Sequence, residues 1–386
     1  MHVKHLSLAN FRNHASAEIA LEPGLNLFIG ENGNGKTNIV EAVGFLSTLN
    51  SHRVVGYEPL ISQASASAVI RALAHHEARD VLVEFELHRG QSNRARINKN
   101  DLTRIRDVIG TIPSVTFAPE DIELVKGQPA ARRKFIDELL VVLTPRVAGV
   151  IADYERVLKQ RNTLLRTAKL TGAKGTALAT LDAWDEQLVK FGAELSAARV
   201  ELAARLTPAL RSAYQAIAHL DQAVAIKIKS TLVSEPSFED NEDGLAELED
   251  SDYESITRQF RAKLAEVRPK ELDRGITLIG PHRDDLVLTL NDMPAKSHAS
   301  SGEIWSYAIA LRLASLQLIR ESSRIGDPVL ILDDVFATLD AGRRERLADL
   351  VRDNEQVLIT AAVAEDVPPS LTAKVFQVNR GGEIVG

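Results

Sequence analysis

The sequence contains no cysteine. That absence removes disulfides, thiolate metal sites and a cysteine nucleophile together, and the fold needs no oxidising compartment. Aromatic residues make up only 5% of the chain, which gives little support to recognition of single strands by base stacking. No apolar run approaches the ~18 residues that span a bilayer. The opening "MHVKHLSLANF" alternates polar with apolar residues where a secretion signal has an unbroken apolar core. The expected location is therefore the cytoplasm, with no membrane partner.

The 386 residues, 45% hydrophobic and 26% charged, are enough for two domains with sizeable cores. The net charge of −7 is unevenly placed: residues 235–254 hold ten acids and no lysine or arginine, so the rest of the chain stands at +3. The acidic stretch reads as a solvated loop, and the mildly basic remainder keeps a polyanionic partner open.

Alternation with period two makes "HVKHLSLANF" and "EIALEPGLNLFIG" strands. "DVLVEFELHRGQSNRARINKND" reads as a hairpin with Val81, Val83, Phe85 and Leu87 on one face. From Pro129 the texture turns helical. Leu139, Leu143, Val147, Val150, Tyr154 and Val157 step by three and four, as do Leu181, Trp184, Leu188, Phe191, Leu195, Ala198 and Leu202. Such a seam predicts an antiparallel pair of helices, an arm of ~45 Å if each runs ~30 residues; a plain helical bundle shows the same spacing. A further helix is expected near 253–267. "GITLIGPHRDDLVLTLND" reads as two strands around a turn, followed by a helix from about Gly302 to Ser322 and by "DPVLILDD", "EQVLITAA" and "KVFQVNRGGEIVG" as strands.

The stretch "GENGNGKTN" sits between the strand that carries Leu25, Leu27 and Ile29 and the helix expected for "NIVEAVGFL". Gly30, Gly35, Lys36 and Thr37 fit G-x-x-x-x-G-K-[ST]. Glycines let the backbone N–H groups of Gly30, Glu31, Asn32, Gly33, Asn34 and Gly35 turn inward around a polyphosphate, and the helix N-terminus adds its positive end. Lys36 reaches the outer phosphates and Thr37 offers a hydroxyl to Mg2+. A carboxylate on a neighbouring strand is needed to hold that metal; Asp333 is the candidate, with Asp334 beside it to polarise water. Lys36 and Asp333 lie 297 positions apart, so a large insertion divides the nucleotide domain. The expected division is a head of residues 1–115 and 271–386, with 116–270 inserted as a helical arm. "SSGEIWSYAIALRLA" places a small-residue turn, Ser300 to Glu303, at a helix N-terminus, and Asp340 follows Asp334 closely.

Together these residues resemble the ABC-type ATPase heads, and most closely the RecF family of the SMC-like branch. "LSLANFRNH", "GENGNGKTNIVEA", "PEDIELVKGQPAARRKFID", "GPHRDDL" and "LILDDVFATLD" occur in the family's order from residue 3 to residue 362. The resemblance implies an α/β fold, an SMC-like P-loop ATPase head with a mixed sheet interrupted by an α-helical arm. It implies ATP and Mg2+ as ligands and an ATP-dependent homodimer. It also implies gapped or duplex-single-strand junction DNA as partner, with RecO and RecR assisting recombinase loading. Carried over by position, Lys36 and Thr37 bind phosphate and metal, Asp333 the metal, and Asp334 activates water. Ser300 and Gly302 meet the γ-phosphate of a facing subunit, and Arg12 lies near the nucleotide. Gln128 stands where the family has a small residue, and Thr360 stands where transporter ATPases have a switch histidine.

DNA contact is expected to be mostly to phosphate. The candidates are Arg89, Arg94, Arg96 and Lys99 in the hairpin and Arg156, Lys159, Arg161, Arg166 and Lys169 in the arm; each also suits a solvated surface. His282 and Arg283 in "GPHRDDL" suit either a site or a structural turn. The alternative from another class is the ATPase subunit of a membrane transporter, which shares the head.

Overall fold

The computed structural model describes residues 1–77, 79–172, 179–220, 222–234 and 245–386. Two compact units emerge: residues 1–122, 212–221 and 301–386 form the first, and 123–211 with 222–300 the second.

The first unit holds two six-stranded sheets. One is antiparallel and contains β1 (His2–Phe11), β2 (His14–Ala20), β4 (Ser67–His76), β5 (Arg79–His88), β6 (Arg94–Ile97) and β7 (Asn100–Asp101), in the order β2-β1-β4-β5-β6-β7. Its alternating sequences bury one side chain in two, such as Ala68, Ile70, Ala72 and Ala74 on β4 and Val83, Phe85 and Leu87 on β5. The other sheet contains β3 (Gly24–Ile29), β8 (Ser114–Phe117), β13 (Val329–Asp333), β14 (Gln356–Ala361), β15 (Lys374–Val378) and β16 (Ile384–Val385), in the order β16-β15-β3-β14-β13-β8. It is parallel apart from β16. β13 and β14 are buried throughout, which is why they read as unbroken apolar runs instead of alternating ones. Helix α1 (Lys36–Thr48) lies on β8, β13 and β14, and its Phe45 meets the Phe85 ring edge-on at 5.2 Å. It is thereby held between the two sheets, and the loop that precedes it is fixed from both sides. Helices α8 (Ser301–Ser322) and α9 (Ala341–Val351) complete this unit.

The second unit contains α3 (Pro129–Leu143), α4 (Val147–Thr171) and α6 (Tyr253–Arg274). It also takes α5 (Ala179–Ala218) as far as residue 211. A sheet of β9 (Val224–Ser230), β10 (Ala246–Glu247), β11 (Asp285–Leu290) and β12 (Met293–Pro294), in the order β10-β9-β11-β12, belongs to it as well. Short helices α2 (Ile122–Lys126) and α7 (Ala295–His298) lie at its chain boundaries.

Several expectations are corrected. The series from Leu139 to Val157 is two helices, because Pro145 has no N–H to continue a helix and the chain breaks between Leu143 and Val147. The two-helix arm is a bundle: α6 joins α4 and α5 through Arg161 to Glu271, Arg261 to Glu186 and Arg268 to Asp182. A Cβ added at Gly192 of α5 would lie 2.4 Å from the Phe260 ring of α6, so only glycine permits this approach. "GITLIG" is not a strand; only Asp285–Leu290 of that segment pairs, with β9, so residues 271–300 belong with the helical unit and not with the head. Residues 235–244 of the acidic stretch, and residues 173–178 between the two helices expected to pair, lie outside the described residues.

The "GPHRDDL" segment forms a buried polar network. Arg132 grips Asp285 with two bonds of 2.8 Å, Arg199 reaches the Pro281 carbonyl at 2.6 Å, and Tyr154 Oη lies 2.7 Å from His282 Nδ1. Burial drives the His282 imidazole down to about 3. Burial likewise pushes the Asp284 carboxyl up to about 6 despite Arg199 and the Ser230 and Thr231 donors. A carboxyl with a raised folded pKa contributes fully below its unfolded value and loses that contribution as pH rises through the folded one. Wild type should therefore lose about 3 kcal/mol from this group between pH 4 and 7, which Asp284→Asn removes. Thermal melts of both proteins across that range test it; a constant difference between them would contradict it.

Candidate nucleotide-binding site

Residues 30–35 connect the end of β3 to α1. Gly35 caps the helix at φ 104°. A Cβ there would lie 2.6 Å from the Asn13 side chain and 2.7 Å from that of His14, so this position excludes every other residue on two grounds. At Gly30 a Cβ would strike the Val378 carbonyl at 2.2 Å. The loop is braced from outside. Asn13 Nδ2 donates to Asn34 O at 3.0 Å, Asn34 Nδ2 to Val378 O at 3.0 Å, and the His14 ring bridges the carbonyls of Gly35 and Gly382. Lys36 is buried, with Nζ donating to Gly30 O at 2.7 Å and to Glu31 O at 3.2 Å. Its ammonium is thus folded back along the loop whose amides it shares.

The strand order brings the remaining groups together. β14 lies between β3 and β13, with Asp333 directly opposite Thr360 and Ala361 opposite Ile29. Ligands of parallel sheets gather at these carboxyl ends. Thr37 Oγ1 donates to Asp333 Oδ1 at 2.8 Å and Thr360 Oγ1 to the same oxygen at 2.6 Å. Burial opposes charge on Asp333, but the nearby His52 imidazole and the Thr360 and Thr37 hydroxyls outweigh it and hold the carboxyl below its ordinary range. Asp334, at φ 51°, donates its backbone N–H to Thr360 Oγ1 at 2.9 Å. Burial, and then the neighbouring Asp333, push its carboxyl upward against the pull of Lys36, with Asp366 and Glu120 adding to the rise. Two adjacent carboxyls are thus driven in opposite directions, one towards permanent charge and one towards proton acceptance.

The oxygens of Thr37 and Asp333 fit Mg2+: their 2.8 Å separation matches the ~2.9 Å cis edge of an octahedron with ~2.0–2.1 Å bonds. Both are hard oxygen donors, and one is anionic. The loop amides and Lys36 Nζ fit the phosphates such a metal accompanies.

Other expected residues are placed differently. Arg12 is committed to buried Glu41 of α1, at 2.9 Å through Nε and 2.6 Å through Nη2, and to Pro59 O, so it fastens α1 to the antiparallel sheet instead of presenting a free guanidinium to the nucleotide. Gly302 packs under Arg343; a Cβ there would sit 2.7 Å from Nη2, and Arg343 Nε donates to Ser306 Oγ at 2.9 Å. Asp340 caps α9 by accepting from Arg343 N at 3.0 Å. The division between units falls between Ser300 and Ser301.

Among the proposed DNA contacts Arg161 is overturned: it is fully buried, bonded to Asp185, Thr277 and Glu271. Arg89 is pinned to the Ile61 and Ser65 carbonyls. Arg96 pairs with Asp101 at 2.6 Å and Arg156 with Asp153 at 2.9 Å, both at the surface. Arg94, Lys99, Lys159, Arg166 and Lys169 are exposed. The sequence reading missed Asn13, His14, Glu41, His52 and Glu120. "NFRNH" carried the first two as a cluster of polar residues between strands; nothing in sequence spacing marked the others.

This loop, acid pair and sheet order define an ABC-type P-loop ATPase head of the SMC-like kind. The family model described as RecF/RecN/SMC N terminal domain matches residues 2–380. The chain is 51% identical to the DNA replication and repair protein RecF of Clavibacter michiganensis subsp. michiganensis, covering 100% of this chain and 96% of the relative. It is 50% identical to the protein of the same name in Streptomyces avermitilis over 99% of both chains. The solved recombination mediator protein RecF-ATPrS of the RecFOR pathway superposes with a TM-score of 0.85 at 26% identity, covering 98% of this chain and 96% of that one. The chain belongs to the RecF family, which displaces the transporter alternative. Among the described residues no helix is long and apolar enough to cross a membrane.

Proposed function

We propose that this protein is an ATP-dependent DNA-binding protein of recombinational repair in the cytoplasm. Two copies pair on ATP, grip gapped or junction DNA and, with RecO and RecR, assist recombinase loading. The observation that carries the reading is the joining of Lys36, Thr37, Asp333 and Asp334 at the carboxyl ends of the parallel strands in a chain of the RecF family. That a relative has been solved with ATPrS in the RecFOR pathway supports the ligand and the partners.

Each residue has a defined task. The loop amides and Lys36 bind the phosphates; Thr37 and Asp333 would hold Mg2+, which when bound neutralises phosphate charge and orients the terminal group. Asp334, its carboxyl raised by burial and by Asp333, accepts the proton of the attacking water. In Ser300 and Gly302 the facing copy supplies donors to the γ-phosphate, so hydrolysis requires pairing and acts as a slow release. Thr360 orients the two acids in place of sensing the γ-phosphate, which accords with a slow cycle. Arg94, Lys99, Lys159, Arg166 and Lys169 contact DNA phosphates.

Asp334→Asn should retain ATP binding while losing roughly 10²–10⁴-fold in hydrolysis, so that a dimer accumulates on gapped duplex. Sedimentation velocity with ATP, Mg2+ and gapped DNA reads this directly. Ser300→Arg is the control, binding ATP but remaining monomeric. Monomers alone in the Asp334→Asn sample would reject the pairing mechanism.

A further inference from the structure

His52 follows α1 in the segment "NSHRV" and lies in the first unit beside the acid pair. Its Nε2 is buried without a hydrogen-bond partner, 3.6 Å from Asp333 Oδ2. That separation is slightly too long for a closed hydrogen bond, yet short enough for the imidazole to stabilise charge on the carboxylate. The two oxygens of Asp333 are treated unequally: Oδ1 accepts from both Thr37 and Thr360, whereas His52 faces Oδ2. A neutral imidazole has one donor and one acceptor nitrogen, and a carboxylate oxygen opposite Nε2 selects the tautomer with the proton on Nε2. A buried polar nitrogen left unpaired is costly, which favours a small movement that closes the pair with Asp333 Oδ2. The segment is itself anchored. Ser51 Oγ donates to Glu41, and Ser51 Oγ in turn accepts from the backbone N–H of Arg53 at 2.9 Å and of Val54 at 3.1 Å. Glu41 is the residue that Arg12 holds. The backbone on both sides of His52 is therefore set by α1, the helix that carries Lys36 and Thr37.

We infer that His52 is a positioning residue of the nucleotide site: its Nε2–H is held for Asp333 Oδ2, aligning the carboxylate so that Thr37 and Asp333 take Mg2+ together. An imidazole from the loop after α1 thus serves a parallel sheet whose own β14 offers a threonine. The inference rests on the ATP-site reading above and adds a residue to it. Closing 3.6 Å to a hydrogen bond needs a shift of about 0.5–0.8 Å, small enough for a side-chain rotation when the metal draws Asp333 into place. Partners of metal-ligating carboxylates typically control metal affinity by about 10–100-fold.

The test compares wild type, His52→Leu and His52→Gln by calorimetric titration with ATP, once with Mg2+ and once with EDTA. Leucine fills the space without a donor; the glutamine amide replaces Nε2–H. The ratio of the two affinities should fall at least ~10-fold in His52→Leu and recover to within threefold of wild type in His52→Gln, while the affinity in EDTA stays within twofold in all three. An unchanged ratio in His52→Leu overturns the inference, as does equal loss with Mg2+ and with EDTA, which assigns His52 to loop packing. No recovery in His52→Gln also overturns it. If wild type itself binds no ATP, the ATP-site reading falls first and the role of His52 falls with it.

Discussion

Replacing Lys36 with methionine should weaken ATP binding by roughly 30- to 3,000-fold while leaving the fold intact. The side chain is buried, and its ammonium is satisfied by the carbonyls of Gly30 and Glu31. A triphosphate exchanges those neutral acceptors for charged ones in the same place, so the lysine gains far more from the ligand than from the empty loop. Methionine keeps the unbranched stem and therefore the packing under the loop. Losing one partner of a desolvated charge pair costs about 2–5 kcal/mol, which is roughly 30- to 3,000-fold in affinity at 1.4 kcal/mol per tenfold. Calorimetry with Mg2+ and ATP measures it, and the unchanged thermal melt of the variant separates site loss from unfolding. Affinity within threefold of wild type would remove the phosphate cradle from the account and, with it, ATP-driven pairing.

The second large effect lies in the helical unit, at a residue whose sequence context suggested a DNA contact. Arg161 of α4 joins Asp185 of α5 at 2.6 Å and Glu271 of α6 at 2.6 Å, and donates to Thr277 at 2.8 Å. Arg161→Met leaves buried Glu271 without its cation and Asp185 with only Arg268, at 3.5 Å. Breaking a buried pair by removing one partner costs about 3–5 kcal/mol, and at roughly 2–4 °C per kcal/mol the melt should drop by roughly 10 °C. The loss should depend on pH. Burial already lifts the Glu271 carboxyl above its ordinary range, even with Arg161 present; without the arginine it rises further. A raised folded pKa means stability is recovered as pH falls, so the deficit at pH 8 should shrink at pH 5.5. Adding Glu271→Gln to Arg161→Met should recover part of the loss at pH 8. DNA affinity of the folded variant should be unchanged. A melt within 2 °C of wild type would mean that the pairs contribute nothing net, as for exposed ion pairs.

Much of the fold was legible because local rules were obeyed. The alternation in residues 2–29 and 79–97 became the antiparallel sheet and the first parallel strand, and the unbroken apolar runs of 329–333 and 356–361 became buried strands of the same parallel sheet. The helical unit was legible in composition and misread in architecture. A three-and-four spacing is the same whether a helix faces one partner or two, and α6, whose polar sequence has little apolar contrast, supplied the second partner. Arg161 illustrates the limit: a guanidinium among polar neighbours in sequence is indistinguishable from an exposed one until α5 and α6 place acids around it. Arg12 is similar, since Glu41 lies 29 residues away on a helix whose orientation the strands dictate.

The linear sequence by itself determined the loop that the site reading makes a phosphate cradle, because glycine spacing, lysine and threonine all lie within eight consecutive residues and a backbone loop is a local object. It also determined the family, since the motifs recur in fixed order along nearly the whole chain. Only the tertiary structure decided which oxygen of Asp333 meets which hydroxyl, that Thr360 ties the acid pair together, and that His52 stands opposite the remaining oxygen. Those relations join residues 37, 52, 333 and 360, and they come from the order β3-β14-β13 and the packing of α1 between two sheets. Hydrogen bonds of this kind require atoms to meet within ~3 Å, a condition that folding alone imposes on positions hundreds of residues apart.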